Sequence, residues 1–568
     1  PSDLNVDHNS YSAGNNTIKM MWLNENLLSY NKIFADNHSI DLLLGLSFQG
    51  DIAKDKSGYG KGAPSNLIQY VTWSGNVYDT EKDLQLKDFN SDLERSTMVG
   101  MFGRVAYNYK QKYFLSVTLR RDASSKFGEN TRWGTFPSYA IAYTFSEEPY
   151  MDWARDFLDF GKIRLSYGKS GKQFEYPYFA FGVLIVNNIP FHGNQTITPY
   201  WPNGLINPKL SWEETKQFDA GLDLEFFGNR LSLELDYYYR YTDKLLAQVT
   251  LPGDYNAYTA QWQNAYAISN QGIELQIKAD LIRSEKLHWD FSFNIARNWN
   301  RFEKSNNGMD FTNLASKHNL NIIGKPLNGI YVYNDEGYYN SQDEVPLYYV
   351  NGRRKYLSSL GNQIYSPGDR RIQDVDGNGQ VATMVPLLED RVYGGSPLPL
   401  AFGGIASTLK WKGIDVNLLF SYKLGRHVLN AGRGASVGTI LRANTAEMMV
   451  PILADLDKVS FWQKPGDNTD FPINELENGK NNFATNLKSN VEKINYLKLK
   501  SISIGYILPV FPKQSKHYAR VFMSVENVFT ITNSSSPDPE SIDIVTGVDS
   551  NNNYPLATRF TLGLTLNL

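Results

Sequence analysis

Strict alternation of apolar and polar residues limits the fold of this sequence more than any other feature does. In residues 231–242 one parity is apolar or aromatic: Leu231, Leu233, Leu235, Tyr237, Tyr239 and Tyr241. The other parity is mostly hydrophilic: Ser232, Glu234, Asp236, Tyr238, Arg240 and Thr242. Because successive strand side chains point to opposite faces, the pattern predicts a ribbon with one apolar and one polar face. Strands of about ten residues with an apolar outer face and a polar inner face are typical of outer-membrane β-barrel walls.

The composition is consistent with such a wall and excludes several other classes. Aromatic residues make up 14% of the 568 residues, and barrels place such residues in two interfacial girdles. The absence of cysteine excludes a disulfide-stapled scaffold and thiolate metal sites. A formal net charge of −3 gives no electrostatic basis for binding nucleic acid. The sequence contains no run of about 18 apolar residues that would form a membrane helix.

Alternation and turn signals together predict about fifteen strands along the chain. Their predicted ranges are 17–33, 38–48, 97–110, 113–121, 135–146, 160–170, 214–226, 229–246, 268–281, 286–300, 400–410, 414–426, 494–508, 518–531 and 557–568. Short turns, such as Gly228-Asn229 and Lys412-Gly413, alternate with long polar connections, of which 305–399 is the longest. Outer-membrane barrels combine short periplasmic turns with long outer loops, so we expect every long connection to lie outside. A soluble β-sandwich is the alternative, since long loops at one end also occur there.

The odd strand count bears on completeness. Single-chain bacterial barrels have an even number of strands, and an open sheet edge in hydrocarbon leaves backbone groups unpaired. The sequence also opens at Pro1 without a start Met or a signal peptide. We therefore expect residues 1–568 to form one domain, the C-terminal part of a larger transmembrane antiparallel β-barrel.

Short motifs follow one another along the chain: LRRD at 119–122, RWG at 132–134, FPS at 136–138, SEEP at 146–149, NPKLSWE at 207–213, NQGIEL at 270–275, SPGD at 366–369, DVDGNG at 374–379, ENVFT at 526–530 and FTLGL at 560–564. In these motifs and their order the sequence resembles the SusC/RagA-type TonB-dependent outer-membrane transporters of Bacteroidota. The resemblance covers nearly the whole chain. It implies an all-β fold of about 22 strands, of which about the last 15 are present, with the plug, the TonB box and the first strands upstream.

The resemblance also implies a function and partners. Such barrels carry out energised import of oligomeric nutrients, glycans or peptides, across the outer membrane of a Gram-negative bacterium. The implied partners are a SusD-like surface lipoprotein, the TonB–ExbB–ExbD complex acting through the plug, and outer-membrane lipid. A dimer of transporter–lipoprotein pairs is consistent with the resemblance. The alternatives are a passive porin and a structural or secretion-associated barrel, because fold does not fix function.

Aromatic residues in predicted outer loops are the candidate substrate contacts. Aromatic rings stack on sugars and pack against peptide side chains. The alternative for each residue is a structural role as a loop aromatic or girdle anchor. The candidates are Trp73, Tyr200, Trp201, Tyr255 and Tyr258.

A second candidate site is a calcium loop. Residues 374–380 match the D-x-D-x-N-G half of such a loop, in which alternate oxygens surround a hard cation and glycine permits the sharp turn. Position twelve is Val385 instead of an acid, and an insertion would let Glu389 or Asp390 close the site. The alternative is a turn capped by its own side chains. The candidate ligands are Asp374, Asp376, Asn378 and Gln380.

The sequence carries no motif of a known catalytic site. Its seven His residues are scattered, and it contains no H-E-x-x-H, G-x-S-x-G or P-loop pattern. Adjacent acids such as Glu147-Glu148 would point to opposite faces of a strand. We therefore expect a transporter that needs no cofactor, and no enzyme.

Overall fold

The structure of the protein is a computed structural model. It describes residues 11–61, 78–79, 84–85, 87–178, 180, 184–186, 200–202, 205–251, 260–305, 311–312, 319–350, 352–359, 362–381, 390–432, 460–473, 485–510, 517–550 and 554–567. No helix within these ranges is long and apolar enough to cross a membrane. The all-β prediction is confirmed, because long strands dominate the described chain.

One large antiparallel sheet contains the long strands, numbered β1 to β15 in chain order. Within the described residues each is hydrogen-bonded to the next, and the parallel strand Val548–Asp549 pairs with β12. The strands β1–β8 are Tyr11–Phe34, His38–Lys61, Lys87–Tyr109, Tyr113–Ser124, Trp133–Thr144, Leu158–Lys172, Glu213–Phe226 and Leu231–Thr250. The strands β9–β15 are Ala260–Arg283, Leu287–Ser305, Ala401–Trp411, Ile414–Asn430, Val491–Leu508, Tyr518–Thr532 and Arg559–Asn567.

Shorter elements lie in the long connections. The short strands are Tyr78–Asp79, Leu84–Gln85, Leu184–Val186, Tyr200–Pro202, Phe311–Thr312, Asn319–Asn321, Gly329–Tyr333, Asp335–Tyr338, Leu347–Val350, Arg353–Tyr356, Ser358–Ser359, Arg370–Ile372, Gln380–Val381 and Arg391–Gly395. The 3₁₀ helices are Phe145–Glu147 and Pro149–Ala154, both in the shorter connection between β5 and β6, and Gln342–Glu344 and Lys488–Asn490.

The tight turns form where the sequence predicts them. At the β11–β12 hairpin Lys412 and Gly413 have φ values of 49° and 89°. Two consecutive positive φ values characterise the turns whose twist matches that of the flanking strands, and glycine adopts them without a Cβ clash. Register across this hairpin runs without a shift from Trp411 opposite Ile414 to Ala401 opposite Leu424.

Several strands are longer than the alternation predicts, and β2 and β3 differ most from their predicted ranges. The predicted range 38–48 extends in the structure to Lys61, and the predicted range 97–110 begins at Lys87. Residues 49–61 have no apolar face, but they pair without interruption with β3 as far as Gly60 opposite Lys87. Their stability therefore comes from the ladder of backbone hydrogen bonds, which a hydropathy pattern does not report.

The chain contacts form two compact units, residues 1–143, 165–218 and 242–266 in the first and residues 144–164, 219–241 and 267–568 in the second. The first unit has an aromatic core of buried side chains: Phe127, Phe136, Phe174, Leu210 and Trp212. The second unit has a larger core inside its connections, called the loop core: Tyr333, Tyr339, Val345, Leu357, Tyr365, Ile372, Val381 and Leu487. Each unit therefore buries aromatic side chains of its loops in a core of its own.

The outer faces of the strands are exposed, as the alternation predicts. On β8 the side chains of Leu235, Tyr237 and Tyr239 are exposed. β15 is the last strand of the sheet, and residues of both parities are exposed on it, with exposed fractions of 74% for Phe560 and 78% for Leu562. Side chains this apolar and this exposed need a nonaqueous environment to cover them.

Candidate functional site

Charged side chains line the polar face of the strands. In the second unit Arg164 of β6 donates to both carboxylate oxygens of Asp223, each at 2.7 Å, and to Asp236 at 3.1 Å. Asp236 belongs to the hydrophilic parity of 231–242. The ion pairs of Arg164 therefore lie on the face of β8 that the sequence predicts to be the inner one. In the first unit Glu214 is 2.7 Å from Lys169 and 2.8 Å from Lys244. The polar faces thus offer fixed charges to a hydrated path.

The connection between β14 and β15 is fixed to this polar surface, and residues 533–549 are called the terminal loop. Lys498 of β13 has its ammonium 3.1 Å from Asp538 and 3.1 Å from Glu540. The side chain of Lys498 is 3% exposed, so this cluster is shielded from water. Lys500, which is partly exposed, adds a contact of 2.8 Å to Glu540. A buried ammonium requires such partners, because an uncompensated buried charge is costly.

Arg426 of β12 makes a second attachment of the terminal loop. It is 1% exposed, and its Nε donates to the carbonyl of Pro397 at 3.0 Å. Its Nη atoms donate to the carbonyls of Ile542 and Asp543. One guanidinium therefore binds two separate connections to the same strand, which suits a planar group with five donors.

The acids of the terminal loop are held in their ionised form. Burial raises the pKa of Asp538, but hydrogen bonds from the Glu540 amide and the Lys498 ammonium outweigh it and leave the pKa below its usual value. Burial acts against Glu540 in the same way, and hydrogen bonds from Lys500 and Lys498 bring its pKa below the usual value. The loop attachment is therefore ionic around neutral pH.

An acidic group forms at the predicted calcium loop. One oxygen from each of Asp374, Asp376 and Asp390 lies within 4.8 Å of the others. Asp390 is buried and accepts from the Val375 amide at 2.9 Å. Asp374 accepts from the Gly377 and Gly379 amides at 2.8 Å each, so the loop is tightly turned. The structure thus brings the downstream acid to the D-x-D half, whereas Val385 and Glu389 lie outside the described residues.

A tyrosine packs beside the acidic group. Burial, followed by the charge of Asp374, raises the pKa of Tyr348 to about 12. The hydroxyl is therefore a neutral donor at physiological pH. The side chain also lies under Gly379, where an added Cβ would come within 3.2 Å of its ring.

The structure describes only some of the remaining predicted calcium ligands and substrate-contacting aromatic residues. Asn378 accepts from the Gln380 amide at 2.7 Å, and the Gln380 side chain donates to Asn362 at 2.9 Å. Tyr200 and Trp201 lie in a short strand that pairs with Leu184–Val186, and nothing is described of their side chains. The other three predicted substrate contacts lie outside the described residues: Trp73, Tyr255 and Tyr258. Their roles stay predictions.

Sequence reasoning missed the residues that hold the terminal loop. Lys498 stands on an alternating strand like any other polar-face residue, and Arg426 is one of many arginines. The available signal was the stretch Pro537-Asp538-Pro539-Glu540, in which two prolines make a polar loop stiff. That signal gives no partner, because the partners are about 40 residues away for Lys498 and 116 for Arg426.

Comparison with known proteins identifies the family. Residues 2–430 match the family described as TonB dependent receptor-like, beta-barrel. TonB-dependent receptor P3 of Formosa agariphila is 30% identical over 96% of this chain and 52% of its own length. TonB-dependent receptor SusC of Bacteroides thetaiotaomicron is 27% identical over 85% of this chain and 45% of its own length. The chain spans about half the length of the curated relatives it matches.

Solved structures show the same fold. The structure of the RagAB peptide transporter superposes with a TM-score of 0.75 at 21% identity, over 98% of this chain and 56% of that one. The matched family consists of receptors and transporters and is not an enzyme family. The sequence-based predictions of a SusC/RagA-like barrel and of an outer-membrane location are confirmed. The chain belongs to the TonB-dependent receptor family and is a SusC/RagA-like β-barrel of the outer membrane.

Proposed function

We propose that this chain forms the wall and outer loops of an importer that takes up oligomeric nutrients, glycans or peptides, with energy delivered through TonB. The observation that carries the proposal is the division of the strands into an exposed apolar face and a polar face lined with fixed charges. A hydrated oligomer needs such a polar path. Loops bound to the same strands by buried ion pairs offer it a shaped surface at the end of that path.

The partners follow from the same proposal. A SusD-like surface lipoprotein captures the cargo, and TonB–ExbB–ExbD supplies force through a plug domain. The barrel moves its cargo without changing it chemically, so the nutrient recovered from the periplasm has its original linkages. A dimer of transporter–lipoprotein pairs is part of the proposal and is checked by the mass of the purified complex.

Uptake in the native bacterium tests the function. The complete coding sequence that includes this chain is deleted, and growth on candidate glycans and peptides is compared with growth of the parent strain. We expect loss of growth on one class, and the same loss when TonB is deleted or the proton gradient is dissipated. Uptake that persists without TonB would establish a passive porin. Normal growth on every nutrient, with loss of surface adhesion, would establish a structural protein.

We also propose that the acidic group Asp374, Asp376 and Asp390 binds Ca²⁺ and stiffens the outer loops. The support is the convergence of three carboxylates with the D-x-D-x-N-G spacing, which suits a hard cation. Asn378 and Gln380 would supply further oxygens. Terbium luminescence, read on the native protein and on Asp376→Asn, tests this. Equal luminescence in both proteins would contradict the proposal. So would terbium luminescence that excess Ca²⁺ does not reduce.

A further inference from the structure

A cavity of about 510 Å³ lies among the loops of the second unit. It is bounded by residues 335–338, 340, 370–371, 466–471 and 489–490, and is called the loop pocket here. Its volume falls in the range of ordinary ligand sites, roughly 300–1,000 Å³. None of its residues belongs to the acidic group or to the contacts of the terminal loop.

The floor of the loop pocket is built on a buried ion pair. Arg370 Nη1 lies 3.0 Å from Asp335 Oδ2, and the two side chains are only 7% and 2% exposed. The other oxygen of Asp335 accepts from the Ser489 amide at 2.9 Å. These bonds link three separate segments of chain, so the floor is rigid before any ligand arrives.

The wall of the loop pocket is also fixed in place. The Tyr338 hydroxyl donates to the Thr469 carbonyl at 3.1 Å. The Gly466 amide donates to Asn340 Oδ1 at 2.7 Å. Asp467 accepts from the Lys464 amide at 2.9 Å and so closes the turn that precedes the wall. A ligand therefore meets a preformed surface and pays little ordering entropy on binding.

The groups that face solvent are polar and of mixed kind. Glu336, Arg371 and Asn468 are exposed at the pocket. A carboxylate accepts hydrogen bonds, a guanidinium donates them, and an amide does both. Carboxylate and guanidinium groups each bind two neighbouring polar atoms at once, which is the arrangement of adjacent hydroxyls on a sugar ring.

The charge and the aromatic content restrict the ligand further. Four carboxylates and two guanidinium groups belong to the lining, so an anionic ligand would meet an excess of like charge. Peptides are usually held by strand addition or by apolar side-chain pockets. Here Phe471 is buried, and Arg370 covers the ring of Tyr338 at 5.6 Å, which leaves little apolar surface for a peptide side chain.

We propose that the loop pocket binds a neutral, polyhydroxylated unit, a sugar residue of a glycan cargo. Hydroxyl groups donate and accept at once, and so can satisfy a carboxylate, a guanidinium and an amide in one site. The inference rests on the proposed import function and names the class of its substrate.

Binding to the purified full-length transporter tests the pocket. Isothermal titration is run with neutral hexasaccharides of glucose, mannose, galactose and xylose, with a sulfated hexasaccharide, and with a hexapeptide. We expect at least one neutral hexasaccharide to bind, and the double variant R371A/N468A to raise its Kd about tenfold, since bonds to a charged group and an amide are lost. Both residues are exposed, and a heat-shift gel verifies that the variant barrel is assembled.

Lys464→Ala is the matched control, because Lys464 is exposed on the same segment but does not line the pocket. We expect this variant to bind as the parent does. Binding of the hexapeptide or the sulfated sugar alone, equal Kd values for R371A/N468A and the parent, or no binding of any neutral hexasaccharide would each overturn the inference. Growth with TonB deleted is measured separately. If the loop pocket binds no sugar but uptake still requires TonB, only the inference about the pocket is refuted. If uptake does not require TonB, the proposed import function is refuted.

Discussion

Apolar side chains are exposed on the last strand and buried in the loop core. Phe560 and Leu562 of β15 are 74% and 78% exposed, whereas Tyr333 and Tyr365 of the loop core are fully buried. The hydrophobic effect drives both arrangements, since apolar surface leaves water in each. The strand leaves water by facing lipid, and the loops leave water by packing on one another. Different substitutions should therefore destabilise the wall and the loops.

Removal of β15 should have the largest effect. Deleting residues 559–567 exposes the backbone edge of β14, and unpaired groups in hydrocarbon cost several kcal/mol each. We expect no assembled protein in the outer-membrane fraction and no band that shifts on heating. Leu568→Phe, which keeps the strand, is the control and should assemble normally. A deletion protein that assembles would show that β15 does not complete the wall.

Breaking the buried ion pairs that attach the terminal loop should have the second-largest effect. Lys498→Met leaves Asp538 and Glu540 without their shared ammonium, at a cost of about 3–5 kcal/mol. We expect proteolysis within residues 533–549 while the wall stays folded. Lys500→Met is the control, because Lys500 is partly exposed and contacts only Glu540 of that pair, so its effect should be much smaller. Equal proteolysis of both variants would contradict the assignment.

Acid should weaken the same contact by protonating its carboxylates. The pKa values of Asp538 and Glu540 are lowered in the folded protein, so their stabilisation is complete above the unfolded pKa values of about 4. It is lost as the pH falls through the lowered values. Hydrogen exchange of residues 533–549, measured relative to the intrinsic exchange rate of the unfolded chain at each pH, should therefore lose protection below about pH 4 in the parent and change less in Lys498→Met. Protection that increases on acidification would reverse the sign and refute the ion pairs.

A charge on the lipid face should cost less than loss of the strand. Leu235→Arg places a guanidinium on the exposed face of β8, at a cost of about 2–4 kcal/mol near the midplane. Urea unfolding in lipid vesicles measures the difference. Leu235→Met keeps the volume and the polarity and should stay within about 1.5 kcal/mol of the parent. If both variants unfold alike, the outer face has been assigned to the wrong parity.

The smallest effects belong to the polar face. Asp223→Asn removes the charge from a carboxylate that makes two bonds of 2.7 Å to Arg164, and we expect a loss of about 1 kcal/mol. Glu234→Gln removes a contact of 3.5 Å in which both side chains are more than one-third exposed, and screening should reduce its effect further. The same unfolding assay ranks them. A larger loss for Glu234→Gln would contradict the geometry.

The wall could be predicted from the sequence because its rules are local. Alternation assigns faces, and dipeptides such as Lys412-Gly413 assign turns, without knowledge of distant residues. The exposed face of β8 was predicted correctly for this reason. The ends of β2 and β3 were not, because there the pairing partner extends each strand beyond its apolar part.

A β-bulge limits even the local rule. Lys498 and Ile504 have the same parity on β13, so alternation places them on one face. In the structure Lys498 is buried in its ion cluster and Ile504 is 44% exposed. Leu419 and Phe420 of β12 pair with Ser501 and Leu499, so β13 has one extra residue there, and that residue moves every later side chain of β13 to the other face. No residue in this stretch announces the shift.

The candidate sites divide in the same manner. The turn at Asp374–Gly379 follows from a short motif, so its shape was predictable. The approach of Asp390 depended on an insertion of unknown path. The loop pocket joins residues from four separate segments and had no signal in the sequence at all. Sites of this kind depend on tertiary packing, which periodicity does not encode.

The attachment of the terminal loop has a consequence for the order of assembly. Asn319 donates to the carbonyl of Thr546, a residue 227 positions further along the chain, and Arg426 reaches across 117 positions to Asp543. Hairpins of the wall close over a few residues at each turn, so they can form early. Contacts of such long sequence separation form slowly, because the entropy of closing the loop is lost before the contact rewards it. We therefore expect the terminal loop to dock after the hairpins of the wall have formed.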